Sequence, residues 1–151
     1  MEPILVRKAQ LEDIPEMVAL LQQLFSIEED FEFNYARQEK GLFLLLGEEK
    51  NAYIIVAEVS GKIVGMLSAQ KNISTAEGGI AATLEDMIVD KSYRRKGIGR
   101  KLMEQMLIWA QEKDINRLQL LADNTNSQAL TYYQGLDWKF TKMICLRKNL
   151  E

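Results

Sequence analysis

Apolar and polar residues along the chain switch repeatedly between two spacings, and each spacing predicts one kind of element. Apolar residues in short runs or in alternation predict strands, whereas apolar residues three and four positions apart predict amphipathic helices. The strand-like runs cover 4–9, 52–59, 62–72, 82–89, 117–122 and 138–147. The helical segments begin at about 13, 35, 97 and 127. The predicted order is therefore β-α-α-β-β-β-α-β-α-β.

Residues typical of turns and helix ends support these boundaries. Pro15 fits only the first turn of the first helix. Asn34 is a good N-cap for the second helix, and Gly47 follows its predicted end. The pair Ser60-Gly61, between two strand-like runs, indicates a β-hairpin.

This order predicts an α+β fold built on a single mixed, mostly antiparallel sheet, with roughly six to seven strands and about four flanking helices. One parallel crossover is expected, from the strand at 82–89 through the helix at 97–113 to the strand at 117–122, and it should be right-handed. A chain of 151 residues suits one hydrophobic core, so we expect a single domain over residues 1–151.

Composition excludes several kinds of chemistry. The chain has no histidine and one cysteine, so Ser-His and Cys-His nucleophilic systems and His-rich or Cys-rich zinc sites lack their residues, and we expect no metal. The cysteine, Cys145, lies in an apolar run and is expected to be a buried core residue. The net charge of −3 and the lack of a long apolar run favour a cytoplasmic protein with no nucleic-acid or membrane partner.

A cationic glycine turn follows the strand that ends at Val89. Its basic and glycine residues are Lys91, Arg94, Arg95, Lys96, Gly97, Gly99, Arg100 and Lys101. Cations are unfavourable at a helix N-terminus, whose free N–H groups already carry partial positive charge. A bound anion would remove this conflict, and glycine lets backbone N–H groups approach an oxyanion closely. We interpret the turn as a phosphate site; the alternative is a solvated basic turn.

Two better-known phosphate loops do not fit this turn. No G-K-[ST] sequence follows it, which disfavours a Walker loop. Leu102 stands where a dinucleotide-binding fingerprint has its third glycine.

Two segments, Glu85–Val89 with Tyr93–Gly99 and Asn126–Trp138, resemble segments of the GNAT superfamily of acetyl-CoA-dependent N-acetyltransferases. Glu85–Val89 followed by Tyr93–Gly99 is similar to the family's R-x-x-G-x-G pyrophosphate motif. Asn126–Trp138 is similar to its N-x-x-A-x-x-x-Y-x-x-x-[GW] segment, although Asp137 stands where the family often has glycine. The resemblance implies that acetyl-CoA is the co-substrate. It also implies that the acetyl group passes directly, in a ternary complex, to a primary amine of a small-molecule or peptide acceptor.

The resemblance implies a role for each matched residue. Backbone N–H groups from Arg95 to Arg100 would hold the coenzyme A pyrophosphate. Met87 and Val89 would bond the pantetheine arm through their backbones, and the Val89 N–H would polarise the thioester carbonyl. Asn126 would contact the coenzyme arm, and Tyr133 would be the general acid that protonates the departing thiolate. The predicted coenzyme-binding residues are Met87, Ile88, Val89, Arg94, Arg95, Lys96, Gly97, Ile98, Gly99, Arg100, Lys101, Asn126 and Tyr133.

Transfer to an amine requires a base, because an amine of pKa near 10.4 is mostly protonated at neutral pH. Without histidine, a carboxylate is the natural candidate. Strand alternation places Glu85 on the side of Met87 and Val89, and Asp86 on the opposite side, unless a bulge intervenes. We predict Glu85 as the catalytic base, directly or through water; the alternatives are Asp86 and a merely solvated strand-end carboxylate. For Tyr133 the alternative to catalysis is aromatic packing.

The segment Ser26–Phe33 joins the first two helices, a place where the family selects its acceptor. It carries four carboxylates and two aromatic residues, which would suit a cationic acceptor. The alternative is a solvated charge run with two core anchors. Polyamines, aminoglycosides, amino acids and peptide amines all stay open.

The tail after Trp138 is short and leaves room for one terminal strand where many family members have two. A six-stranded sheet is one consequence, and completion of an edge by a second copy in a homodimer is the other. A competing function is a sensor domain that binds acyl-CoA without turnover, which would need neither Glu85 nor Tyr133.

Overall fold

A computed structural model describes residues 2–28 and 30–150. The described residues form two compact units that divide between residues 119 and 120. The strands are β1 (Ile4–Lys8), β2 (Ala52–Val59), β3 (Lys62–Ser74), β4 (Gly79–Val89) and β5 (Ile115–Leu120). The helices are α1 (Ile14–Ile27), α2 (Tyr35–Leu46), α3 (Ile98–Glu112) and α4 (Ser127–Gly135), and short 3₁₀ turns cover Leu11–Asp13 and Lys91–Tyr93.

The sheet has the order β1-β2-β3-β4-β5, and its first four strands form an antiparallel meander. The β4-α3-β5 crossover makes β5 parallel to β4, as predicted. The start of β5 lies beside the start of β4, since Arg117 forms an ion pair with Glu77 at 3.2 Å. The α+β class and the mixed, mostly antiparallel sheet are therefore confirmed.

The two faces of the sheet are covered by different helices. Residues of α1 and α2 pack with β2, β3 and β4 in one core cluster that includes Met17, Leu42, Met66 and Ile88. On the other face α3 lies close to β3: a Cβ added to Gly65 would stand 3.1 Å from the Leu102 side chain. Glycine at this position lets α3 approach the sheet closely.

An ion-pair network fixes the start of α1 to the sheet. The Arg7 guanidinium donates to both carboxylate oxygens of Asp13, at 2.8 and 3.0 Å, and to Glu58 at 3.0 Å. Burial alone would raise the pKa of Asp13, but the hydrogen bonds from Arg7 and from the Gln10 N–H lower it. These bonds hold α1 in a defined place on β1 and β2.

The structure corrects the prediction for the end of the chain. Within the described residues, 138–150 form no strand, so the sheet has five strands instead of six to seven. An apolar run becomes a strand only when a neighbouring strand pairs with its backbone, and the described sheet ends at β5. Cys145 is exposed, which makes its predicted burial wrong. The predicted single domain and the homodimer stay predictions.

None of the helices in the described part of the chain is both long and apolar enough to span a bilayer.

Candidate active site

A β-bulge interrupts β4 at the two predicted carboxylates. Across the β3–β4 pair, Glu85 lies opposite Ser68 and Ile88 lies opposite Met66. Two residues of β4, Asp86 and Met87, therefore face one residue of β3. Asp86 has a φ of +57°, a left-handed conformation that aspartate adopts more readily than most residues.

The bulge changes which face of the sheet carries Glu85. Ser68 and Met66 are two residues apart on regular β3, so their partners Glu85 and Ile88 lie on the same face. Ile88 belongs to the core cluster under α1 and α2. Glu85 thus lies on the α1 side, because the bulge adds one residue and reverses the side that regular strand alternation would give it.

The two carboxylates differ in their surroundings. Glu85 is exposed, while Asp86 is half-buried. Burial raises the pKa of Asp86 to about 7, and the negative charges of Glu85 and Glu28 add to this rise. Glu28 follows the last residue of α1 and opens the segment that joins α1 to α2. The bulge therefore places a carboxyl group that titrates near neutral pH beside the predicted acceptor segment.

A buried serine stabilises the bulge from the neighbouring strand. Ser68 is 1% exposed, and its hydroxyl donates a hydrogen bond of 3.0 Å to the Glu85 carbonyl. This bond fixes the backbone immediately before Asp86, so the position of both carboxylates depends on β3 as well as on β4.

The end of β4 directs the backbone groups of Val89 away from β3. The Asp90 N–H donates to the Val64 carbonyl of β3 at 2.8 Å. Because alternate residues of a strand point their backbone groups to opposite sides, the N–H and C=O of Val89 face away from β3. The Arg94 Nε–H donates to this Val89 carbonyl at 3.0 Å, which confirms its direction. Ile88 lies between Met87 and Val89 with its side chain in the core, only 6% exposed.

The cationic turn has two left-handed residues that bend it into the N-terminus of α3. Arg95 has a φ of +62° and Gly97, the N-cap of α3, has a φ of +80°. Gly97 offers no side-chain acceptor to the first N–H groups of the helix, and the first turn of α3 has no acidic residue. Open N–H donors and exposed cations therefore meet at one helix end, which is the electrostatic arrangement of an anion site.

Aromatic contact orders part of this turn. Two lysines lie over the Tyr93 ring, with the Nζ of Lys62 at 5.3 Å and the Nζ of Lys96 at 5.5 Å from its centroid. Both distances are within the range of cation–π attraction. The remaining predicted turn residues are exposed or half-exposed, except Ile98, which is buried and anchors α3.

The unit Leu120–Glu151 carries the other two predicted site residues on one short helix. The Asn126 side chain caps α4 by accepting from the Ala129 N–H at 3.2 Å. Tyr133 is half-buried, and its ring makes an edge contact with Trp138, 6.0 Å between centroids. Asp137 has a φ of +67°, so the position where the family often has glycine does require a left-handed backbone.

Sequence analysis missed one residue near the turn, Gln23 of α1. Its side-chain amide contacts Asp90 and Lys91 at 3.2 and 3.0 Å. No local pattern in the sequence marks it, since it is one of several polar residues on α1.

Among the described residues, no group of three His, Cys, Asp or Glu side chains could hold a metal ion.

The described residues thus form a bulged strand that leads into a glycine turn and a helix N-terminus. The family model described as "Acetyltransferase (GNAT) family" matches residues 15–138, and the chain belongs to that family.

Known proteins similar to the chain agree with this assignment. A curated relative named "Uncharacterized N-acetyltransferase", from Archaeoglobus fulgidus, is 29% identical over 134 residues, which are 87% of this chain and 90% of the relative. The crystal structure of a possible acetyltransferase from Clostridium difficile 630 superposes with a TM-score of 0.86 at 23% identity, and the match covers 99% of each chain. The aminoglycoside N-acetyltransferase AAC(6')-Iy in complex with CoA superposes with a TM-score of 0.84 at 15% identity, covering 99% of this chain and 97% of that chain. At these identities the two structural matches demonstrate the shared fold.

Proposed function

We propose that this protein transfers the acetyl group of acetyl-CoA directly to a primary amine of a small-molecule or peptide acceptor in a ternary complex. The observation that carries the proposal is the sequence of the bulge carboxylates, the Val89 backbone that faces away from β3, and the cationic N-terminus of α3 along one stretch of chain. Family membership supports the same reaction.

Coenzyme A would bind along this stretch of chain. The backbone N–H groups from Arg95 to Arg100 would hold the pyrophosphate, and the exposed cations of the turn would balance its charge. The outward-facing backbone of Val89, together with Met87, would bond the pantetheine arm. The Arg94 side chain donates a hydrogen bond to the Val89 carbonyl, and this bond connects the end of β4 to the turn.

The reaction forms one C–N bond and breaks one C–S bond. The amine nitrogen attacks the thioester carbonyl, and the Val89 N–H would stabilise the oxyanion that develops. The amine would lose a proton to a carboxylate, and the coenzyme thiolate would gain a proton as it leaves, from Tyr133 in the role that the family resemblance implies. An acyl-enzyme mechanism would need a base to activate a serine or cysteine nucleophile, and the sequence has no histidine to be that base. Direct transfer to the amine needs no such nucleophile.

Of the two carboxylates, Asp86 is better suited to accept the proton. An efficient general base has a pKa near the working pH, and the pKa of Asp86 is raised to about 7. Glu85 is exposed on the α1 side, where it would attract the cationic amine. This proposal differs from the base that the sequence favoured, and Glu85 stays the alternative that the variants in the Discussion distinguish.

The acceptor would approach from the segment between α1 and α2. Glu28 lies close enough to Asp86 to raise its pKa, and the ring of Phe31 lies 5.4 Å from that of Phe25 on α1. Carboxylates and aromatic rings both favour a cation. An aminoglycoside, the substrate class named for one structural neighbour, is one such cation, and a polyamine is another. Glu29 lies outside the described residues.

Thiol release with a panel of amines tests this function. Spermidine, an aminoglycoside, a free amino acid and a lysine-containing peptide are incubated separately with the protein and acetyl-CoA, and reactions without amine measure hydrolysis. We expect amine-dependent release of free coenzyme A, with cationic acceptors that carry more than one amine reacting fastest. Tight acetyl-CoA binding with no release for any amine would contradict transfer and favour the acyl-CoA sensor.

A further inference from the structure

Gln23 bridges α1 to the first residues of the coenzyme turn. Its Nε2–H donates to the Asp90 Oδ2 at 3.2 Å, and its Oε1 accepts from the Lys91 N–H at 3.0 Å. A backbone N–H can only donate and an ionised carboxylate can only accept, so both bonds require an amide in this one orientation. Glutamate or leucine of similar size at position 23 could not make both bonds.

Asp90 is itself part of the turn's framework. Its Oδ1 accepts from the Ser92 N–H at 2.8 Å and thereby caps the 3₁₀ turn Lys91–Tyr93. Its own N–H is bonded to the Val64 carbonyl. Burial opposes ionisation of this carboxyl, yet the bonds from Ser92 and Gln23 lower its pKa. The network therefore links β3, α1 and the entry to the turn through Asp90.

The helix that carries Gln23 is firmly placed. Met17, Val18, Leu20 and Leu21 of α1 are at most 3% exposed. Gln23 itself is half-buried. Because buried residues one turn away fix the helix, the Gln23 amide is a rigid support for the turn. A turn held in its binding shape loses less conformational entropy when the ligand binds.

We propose that Gln23 is a positioning residue that holds the start of the glycine turn in the conformation that binds the coenzyme A pyrophosphate. This inference rests on the proposed function, since it concerns the affinity of the same turn for its coenzyme. The contacts of the Gln23 amide are with the framework of the turn, Asp90 and Lys91. Gln23 acts through these two residues.

The test is calorimetric titration of the intact protein with coenzyme A, which needs no knowledge of the acceptor. Gln23→Leu removes both bonds, and Gln23→Glu keeps an acceptor for Lys91 but replaces the donor to Asp90 with a carboxylate that repels it. We expect each variant to raise the Kd for coenzyme A about tenfold, a loss of about 1.4 kcal/mol.

Two matched variants separate positioning from a general loss of stability. Gln105→Leu removes a side-chain bond of the same length, 3.2 Å to the Tyr53 hydroxyl, away from the turn. Gln22→Leu alters the exposed neighbour of Gln23 on α1. Both should keep the Kd within about twofold of wild type, even if Gln105→Leu lowers the Tm as much as Gln23→Leu does.

The outcomes are distinct. A Kd for folded Gln23→Leu equal to that of wild type and Gln105→Leu would overturn the positioning role while leaving the proposed function intact. Failure of wild-type protein to bind coenzyme A would refute the proposed function instead.

Discussion

Replacing Asp86 with asparagine is expected to lower the maximal rate of acetyl transfer by about 10²-fold or more, the usual contribution of a general base. The wild-type rate should rise with pH through about 7 as Asp86 loses its proton, because only the ionised carboxylate accepts a proton from the amine. Asparagine cannot ionise, so this rise should disappear. The measurement is the pH profile of kcat at saturating acetyl-CoA with the best amine of the panel.

The same substitution should make the fold more stable at high pH. The folded pKa of Asp86 lies above its unfolded value of 3.8. Between these values the folded state binds more protons than the unfolded state, so stability falls as the pH rises from about 4 to 7. Asparagine removes the cost of ionising a half-buried group. Urea unfolding at pH 8 should therefore show Asp86→Asn stabilised by roughly 2–4 kcal/mol, with little gain at pH 4.

Glu85→Gln is the matched control for the base. It changes the adjacent carboxylate, which is exposed and lies on the α1 side. We expect it to raise the KM for a cationic amine severalfold and to shift the pH profile to lower pH, because it removes one charge that raises the pKa of Asp86. A large loss of kcat in Glu85→Gln, with normal kcat in Asp86→Asn, would instead identify Glu85 as the base.

Replacing Tyr133 with phenylalanine is expected to lower kcat by about 10²-fold while leaving the Kd for coenzyme A nearly unchanged. Phenylalanine keeps the ring that packs on Trp138 and removes the hydroxyl that would protonate the thiolate. The adjacent Tyr132→Phe, which removes an equivalent hydroxyl from an exposed residue of the same helix, should retain most of the activity.

A second donor distinguishes chemistry from packing at Tyr133. A donor whose thiol is more acidic than coenzyme A needs less protonation as it leaves, so it should restore part of the lost rate in Tyr133→Phe. Equal losses with both donors, or a loss of activity in Tyr132→Phe as large as that in Tyr133→Phe, would argue that the tyrosine ring serves packing alone.

The sequence predicted those elements whose ends are determined by a cap, a turn or a glycine within a few residues. Helix α2 begins where expected because the Asn34 side chain accepts from the Arg37 N–H at 3.2 Å. The β2–β3 hairpin turns at Ser60 and Gly61, both with positive φ. The glycine turn before α3 is equally local, since Gly97 supplies the left-handed N-cap. Each of these features depends on bonds or angles within one turn of the chain.

The properties of the two carboxylates were not predictable, because they depend on distant residues. The register with β3 produces the bulge, and that register changes the face on which Glu85 lies. The pKa of Asp86 depends on burial and on Glu28 at the end of α1. The bonds of Gln23 to the turn depend in the same way on how α1 packs against the sheet.

The tail illustrates the limit of apolar patterning. Trp138–Arg147 has the composition of a strand, but the described residues after α4 form none, and Met143, Ile144 and Leu146 are at least 80% exposed. The pattern of apolar residues along the chain indicates which segments favour a strand. Whether one forms depends on an available partner.

Thermal unfolding of the intact chain with and without acetyl-CoA tests the central claim most directly, with NAD and a short oligonucleotide as control ligands. At a concentration about 100 times its Kd, acetyl-CoA should add roughly 2.7 kcal/mol of stability and raise the Tm by several degrees, while the controls leave it unchanged. No shift at millimolar acetyl-CoA, or an equal shift with NAD, would contradict a coenzyme A site at the glycine turn.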